Sequence, residues 1–204
     1  MSVPLRLVCC VLLGYLLGSV NGAILISRLK THEDVRSKGS GNAGLTNFFR
    51  TCGGWATLLV ILIDVGKAVL AGLLAGLLLP SDVTLGKMVA GFAVQVGHIF
   101  PIFFGFRGGK GVLCSAAVAA MLDWRIFAIA FPLFLIVVAL TRLVSLGSVV
   151  AIITYAILFV VFFRRRPEIW LLAVAMSLLA IFMHRGNIVR LLHGVEPKLG
   201  ASKK

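Results

Sequence analysis

Three glycine-rich segments carry the polar residues best suited to handling an anion. The first is Gly39-Ser40-Gly41-Asn42, followed by Thr46, Asn47 and Arg50. The second is Gly108-Gly109-Lys110-Gly111, and the third is His184-Arg185-Gly186-Asn187. Glycines let the backbone turn its N–H groups toward a negative charge. Lysine and arginine add charge-assisted donors, and the planar arginine fork suits phosphate. Ser40, Asn42, Thr46 and Asn47 offer hydroxyl and amide hydrogen bonds. A helix beginning near Thr46 would add its N-terminal N–H groups. The plain alternatives are a polar interhelical loop for the first segment and a simple basic loop for the second. Taken together, the three segments point to phosphate handling at a membrane surface.

The second segment is not a nucleotide P-loop. Phe104 stands where that motif needs its first glycine, and Gly111 replaces the magnesium-binding hydroxyl. Nucleotide hydrolysis is excluded, and a flexible cationic phosphate cradle remains. Upstream of it, His98 falls inside an apolar helix and reads as a satisfied buried histidine rather than a catalyst. Asp64 and Lys67 sit three apart on one face of another apolar helix. Charges there are costly and face a polar interior, so the pair reads as a structural ion pair, with a proton relay as the sharper alternative. Ser145 and Ser148 cap a helix, or donate to phosphate, or do both. His184 and Asn187 share a face if that segment is helical.

Other chemistries lack their residues. None of the four histidines has an aspartate five residues later, so the HxxxxD box of many acyltransferases is missing. The aspartates do not cluster for magnesium, and we expect neither metal nor cofactor. Cys9, Cys10, Cys52 and Cys114 form no CxxC and read as small apolar fillers. No basic face with interleaved aromatics suggests nucleic acid.

The elements that must position these residues are membrane-like. The chain has 204 residues, 60% of them hydrophobic, and a mean hydropathy of +1.06. That excludes an ordinary soluble domain. We read an all-α integral membrane protein of about seven transmembrane helices in one domain, residues 1–204. The expected helices cover Val3–Leu29, Gly54–Leu79, Thr84–Phe104, Val112–Leu122, Trp124–Leu140, Leu146–Phe163 and Pro167–Met183. The first is too long for a typical signal-peptide core and carries its basic flank after it, so it reads as a span. Twenty basic residues face seven acidic ones, for a net charge of +13. With the N-terminus outside and the C-terminus cytoplasmic, the glycine-rich segments and most basic residues share the cytoplasmic side. That side holds Arg28, Lys30, Arg36, Lys38, Arg50, Arg107, Lys110 and Arg142, with Arg185, Arg190, Lys198, Lys203 and Lys204 of the tail. Arg164-Arg165-Arg166 falls outside and breaks the rule.

In order along the chain, these motifs resemble the bacterial membrane glycerol-3-phosphate acyltransferases of the PlsY type. Gly39–Arg50 is similar to their GSGNxGxTNxxR segment, with Leu45 in place of the usual alanine. Gly97–Gly111 is similar to GHxFPxFxxFxGGKG, and Asp64–Lys67 to DxxKG, with Ala68 in place of glycine. Ser145–Ser148 resembles their SLxS turn, and His184–Lys198 their HRxNIxRLxxGxEPK segment. The resemblance implies a seven-helix fold in the bacterial inner membrane, with a cytoplasmic active site. It implies transfer of a fatty acyl group from acyl phosphate to the 1-hydroxyl of sn-glycerol 3-phosphate, giving lysophosphatidic acid and phosphate. The partners are then those two small molecules and membrane lipid, with acyl-phosphate synthesis upstream. Lys110, Arg50, His184 and Asn187 become the catalytic candidates. Ser40, Gly41, Asn42, Thr46, Asn47, Gly108, Gly109, Gly111 and Ser148 join them as phosphate-binding candidates. The acyl phosphate's own oxygen takes the hydroxyl proton, with His184 as the runner-up base.

Two other classes fit parts of the pattern. A transporter for a phosphorylated solute fits the basic loops and buried ions but predicts a path across the membrane. A non-catalytic lipid-binding protein does not need Lys110 and the glycine loops together.

Overall fold

The first apolar stretch is not one helix. It is α1 (Val3–Gly18) and α2 (Gly22–Thr31), interrupted at Ser19-Val20-Asn21. The Asn21 side chain accepts from the Ile24 N–H and caps α2. The small and polar run Gly18-Ser19-Val20-Asn21-Gly22 therefore ends one helix and starts the next, which the unbroken expected helix missed.

This computed structural model describes residues 2–200, so Lys203 and Lys204 lie outside the described residues. The further helices are α3 (Leu45–Thr51), α4 (Ala56–Leu78), α5 (Val83–Ile99) and α6 (Val112–Leu122). They continue with α7 (Trp124–Thr141), α8 (Val144–Phe162), α9 (Pro167–Met183) and α10 (Arg185–Leu192). Short 3-10 turns occupy Val35–Ser37 and Ile102–Phe104. No strand occurs among the described residues.

The chain divides into two compact units, one ending at Leu122 and one beginning at Asp123. In the first, α5 packs on α1 and α4, and α6 packs on α4 and α5. The seam is built from small residues, including Cys10, Ala68, Ala71, Ala90, Val94 and Cys114. Lipid tails are as apolar as leucine, so helices in a bilayer gain by close approach rather than by burying greasy side chains. The approach is tight at two glycines. A Cβ on Gly18 would lie 2.3 Å from the Val94 carbonyl oxygen, and one on Gly97 2.3 Å from that of Tyr15.

In the second unit, α7 and α8 form a hairpin through Arg142 and Leu143, with Arg142 in the left-handed region at φ 61°. Helix α8 packs on α9, and α10 on both. The Leu199 N–H donates to the Arg142 carbonyl at 2.7 Å and returns the tail to this corner.

Among the described residues, five helical stretches are long and apolar enough to cross a membrane, counting Val3–Thr31 as one. Helices α9 and α10, bent by 58°, make a sixth if taken as one span. Helix α6 has 11 residues. At about 1.5 Å per residue it falls well short of a hydrocarbon core of roughly 30 Å.

Candidate active site

A buried polar cluster lies where α1 gives way to α2. Asp64 and Lys67 of α4 form an ion pair, with Nζ 2.8 Å from Oδ1. Lys67 also donates to the Val20 carbonyl at 2.7 Å, and the Gly22 N–H donates to Asp64 Oδ1 at 3.3 Å. His98 of α5 completes the cluster, its Nδ1 2.9 Å from Lys67 Nζ and 3.6 Å from Asp64 Oδ1. A break inside a membrane helix leaves backbone groups that need partners. Here the α4 charges supply them, and the break in turn satisfies the charges.

The Gly108–Gly111 segment folds back on the end of α5. The Gly108 N–H donates to the Ile99 carbonyl at 2.9 Å, and the Gly109 N–H to the His98 carbonyl at 3.0 Å. Both glycines are needed for this approach. A Cβ on Gly108 would lie 1.9 Å from the His98 carbonyl oxygen, and one on Gly109 2.2 Å from His98 Nε2. The Gly108 carbonyl accepts from Ala43 N–H at 3.3 Å, joining this segment to the first glycine-rich loop. Asn21 Nδ2 donates to the Ala43 carbonyl at 3.1 Å, so the helix break touches the same loop. Lys110 is half-buried between these backbone contacts and the start of α6.

The first loop is held by its own side chains. Asn47 is buried, and its Oδ1 accepts from the Ser40 N–H at 2.9 Å. Its Nδ2 donates to the carbonyls of Val35 and Lys38, at 3.0 Å each. The Asn47 amide thus shapes the loop that presents Ser40, Gly41 and Asn42. Ser40 and Gly41 are exposed, while Asn42 and Thr46 are half-buried. Arg50 lies exposed in the last turn of α3. Lys30 donates to the Cys52 and Gly53 carbonyls, at 2.8 and 3.1 Å, and steadies that helix end. The expected second helix, Gly54–Leu79, corresponds to α4 alone; α3 before it is a separate short helix that was not expected, set off by Gly53 and Gly54, both at positive φ.

Sequence reasoning overlooked a clamp. Arg36 grips Asp34 through Nε and one terminal nitrogen, at 2.9 and 2.8 Å. Its other nitrogen donates to the carbonyls of Phe104 and Arg107, at 2.7 and 2.8 Å. The Arg36 hydrogen bond, helped by Arg28, holds the Asp34 carboxyl well below the usual carboxylate range. One fork thereby joins the first loop to the one leading to Lys110. An Asp-Val-Arg triplet in a basic loop gives no sign of this. Arg36, Ser37, Gly41, Phe104 and Arg107 are among the residues lining an open cleft of about 690 Å³. Lys110 and Arg50 do not line it.

In the second unit, Ser145 and Ser148 sit in the first turns of α8, and Ser148 Oγ donates to the Val144 carbonyl at 2.9 Å. His184, at the α9–α10 bend, is buried, with Nδ1 2.8 Å from the Ala180 carbonyl oxygen. A carbonyl only accepts, so Nδ1 carries the proton and Nε2 of the neutral ring is the acceptor. Asn187 Nδ2 donates to Glu196 Oε1 at 2.6 Å, and Arg190 Nε to Glu196 Oε2 at 2.7 Å. Burial pushes the Glu196 carboxyl up, but the polar groups of Asn187, Ser145 and Arg190 facing it win and hold it low. The short helix α10 was not expected as an element. It puts Asn187 and Arg190 on one face, three residues apart.

The sequence profile of the glycerol-3-phosphate acyltransferase family matches residues 8–194. The chain belongs to that family. A glycerol-3-phosphate acyltransferase of Shouchella clausii (strain KSM-K16) is 42% identical over 197 residues, covering 95% of this chain and 96% of its own. Another, of Thermoanaerobacter sp. (strain X514), is 39% identical over 189 residues and 93% of each chain. Two crystal structures of PlsY, an integral membrane glycerol 3-phosphate acyltransferase, share the fold. The glycerol 3-phosphate form gives a TM-score of 0.86 at 34% identity, over 95% of this chain and 96% of that one. The lysophosphatidic acid form gives 0.83 at 33% identity, over 95% of each. This acyltransferase is therefore a multi-pass membrane protein. Among its described residues no group of three or more His, Cys, Asp or Glu side chains is placed to hold a metal ion.

Proposed function

We infer that the protein transfers a fatty acyl group from acyl phosphate to the 1-hydroxyl of sn-glycerol 3-phosphate. The products are lysophosphatidic acid and inorganic phosphate. One observation carries this reading: the ordered set of glycine-rich motifs lies on a fold shared, nearly end to end, with a glycerol 3-phosphate acyltransferase. The transporter reading loses its support with that match.

The glycerol hydroxyl oxygen attacks the acyl carbonyl carbon. A new ester C–O bond forms, and the carbonyl–phosphate C–O bond breaks, its electron pair leaving on phosphate. The hydroxyl proton passes to an oxygen of the acyl phosphate, so the leaving group serves as base. Lys110 and Arg50 stabilise charge on the leaving phosphate, and N–H groups around Gly41, Gly108, Gly109 and Gly111 assist. Ser40, Asn42, Thr46, Ser148, His184 and Asn187 serve the same reaction by binding phosphate and orienting the glycerol hydroxyl. Asn47 contributes by shaping the loop, which its bonds to Ser40, Val35 and Lys38 support. His184, a neutral imidazole in this tautomer, is the second candidate base.

The chain acts as one functional domain of seven helices in the inner membrane, with α6 as the short one. Its N-terminus lies outside and its active site and C-terminus lie on the cytoplasmic side. The basic residues of the first and third loops and the tail support that orientation. Acyl phosphate, a mixed anhydride, comes from an upstream reaction that activates a fatty acyl group with phosphate.

The test uses purified protein in detergent with glycerol 3-phosphate and palmitoyl phosphate, reading phosphate and lysophosphatidic acid. Equal release of both is expected. Lys110→Ala is expected to lose about 100-fold or more in kcat, the scale of losing a charge-stabilising donor. A folded wild-type protein that leaves palmitoyl phosphate intact would overturn the assignment.

A further inference from the structure

His98 is buried in the first unit, and the chemistry above gives it no task. We propose that His98 is a positioning residue that sets the Gly108–Lys110 segment, and through it the Lys110 amine, for acyl transfer. This rests on the reading of Lys110 as a substrate-contacting lysine.

The ring is held from one side and presses on the other. On the held side, Nδ1 lies 2.9 Å from Lys67 Nζ. Lys67 is itself fixed by Asp64 at 2.8 Å and by the Val20 carbonyl at 2.7 Å. The ammonium has only donors, so Nδ1 accepts and the ring proton sits on Nε2. On the pressing side, Nε2 reaches the place where a Gly109 Cβ would be, at 2.2 Å. The backbone of the same histidine receives the Gly109 N–H at 3.0 Å. Ring and carbonyl thus seat the residue immediately before Lys110. The seat is anchored in turn to the helix break through Val20 and, by way of Asp64, Gly22.

A buried apolar filler would have packed this space without two charges beneath it. Burying an ion pair is costly and gives little net stability, whereas a fixed ring orientation is a use for it. The arrangement transmits the rigid geometry of α4 to a glycine-rich loop that has little stiffness of its own. A reacting group displaced by about 1 Å can cost about 100-fold in rate, which is the scale of the expected effect.

The experiment compares kcat and KM for both substrates in wild type, Lys110→Ala, His98→Asn, Gly109→Ala and the double variant His98→Asn/Gly109→Ala. Melting temperatures are measured alongside. Asparagine keeps an acceptor near the Nδ1 position for Lys67 but leaves the Gly109 side empty. The expected result for His98→Asn is a folded protein whose kcat falls about 100-fold, with KM for glycerol 3-phosphate within about threefold of wild type. Gly109→Ala should also lower kcat. The double variant should be at least about tenfold more active than the product of the two single losses, because asparagine removes the nearest atom that the new methyl group would strike and leaves only the Ala43 carbonyl oxygen, at 2.9 Å. A folded His98→Asn with kcat within twofold of wild type, or losses that simply multiply, overturns the proposal. If His98→Asn does not fold, Gly109→Ala decides: a folded protein with wild-type kcat overturns it, and about 100-fold loss supports it. Retained turnover in Lys110→Ala would instead sink the reading of Lys110. An inactive Lys110→Ala beside a normal His98→Asn sinks this inference alone.

Discussion

At the scale of single residues, the glycine-rich motifs contain two kinds of polar side chain. Some face outward and are available to a ligand, as Ser40 is. Others hold the loop together, as Asn47 does with its three backbone hydrogen bonds. The sequence shows both as polar residues among glycines, and spacing alone does not separate them. Asn47→Ala is expected to leave the Ser40 N–H and two carbonyls to find other partners. Each buried group left unsatisfied costs about 1–3 kcal/mol. The variant should therefore melt several degrees lower, with activity falling because the loop is disordered. A wild-type melting temperature together with a raised KM for glycerol 3-phosphate would return Asn47 to direct substrate binding. Arg36 shows the same limit from the other direction. It reads as one more basic loop residue, yet all its nitrogens are engaged by Asp34, Phe104 and Arg107.

At the scale of elements, close packing between α1 and α5 places His98 and the end of the glycine-rich return. Gly97 precedes His98 and lies against the Tyr15 carbonyl and the Ser19 N–H of α1. A methyl group there would push α5 away from α1 and shift His98 with it. Gly97→Ala is expected to cost about 1–3 kcal/mol from overpacking. Differential scanning fluorimetry in detergent should show a lowered melting temperature, with Gly66→Ala, where a Cβ meets nothing within 4 Å, as the neutral control. Equal melting of the two variants would mean that this seam is looser than drawn. Long apolar runs made α4, α7, α8 and α9 legible to within two residues, whereas the expected Thr84–Phe104 helix ends five residues earlier, at Ile99, ahead of Pro101. The break at Ser19–Asn21 was harder to read because hydropathy averages across three residues. Helices α3 and α10 were also missed, since short helices held by tertiary contacts carry little periodicity of their own. The proposed site's residues can be picked out in the sequence because phosphate demands cations, amides and glycines. Their partners cannot be, because the Asp64–Lys67–His98 cluster joins residues 34 positions apart through packing that no local pattern encodes.

At the scale of the whole molecule, the open question is which end faces the cytoplasm. On the proposed reading both substrates carry a phosphate, which does not cross a bilayer unaided, so the site is expected to open on the side that supplies them. The first loop and the segment around Lys110 carry Arg28, Lys30, Arg36, Lys38, Arg50 and Arg107, and basic residues near span ends hold cytoplasmic positions. Against this stand Arg164, Arg165 and Arg166, between α8 and α9. Part of their charge is locally offset, since Arg166 pairs with Glu168. In the same unit Arg125 pairs with Asp123 and stacks on Phe162, so Arg125 and Arg166 at that end are tied to local partners. First-loop charges are partly paired as well, Arg28 and Arg36 with Asp34 and Lys38 with Glu33, so it is by number, six basic residues against three, that the first-loop side is expected to set orientation. Single cysteines in a cysteine-free background decide it: Ser37→Cys in the first loop and Ser81→Cys between α4 and α5, both at exposed positions. In intact cells a membrane-impermeant maleimide should label Ser81→Cys at once and Ser37→Cys only after permeabilisation. The reverse pattern would put the glycine-rich loops outside and would break the link between charge and function on which the proposed cytoplasmic site depends.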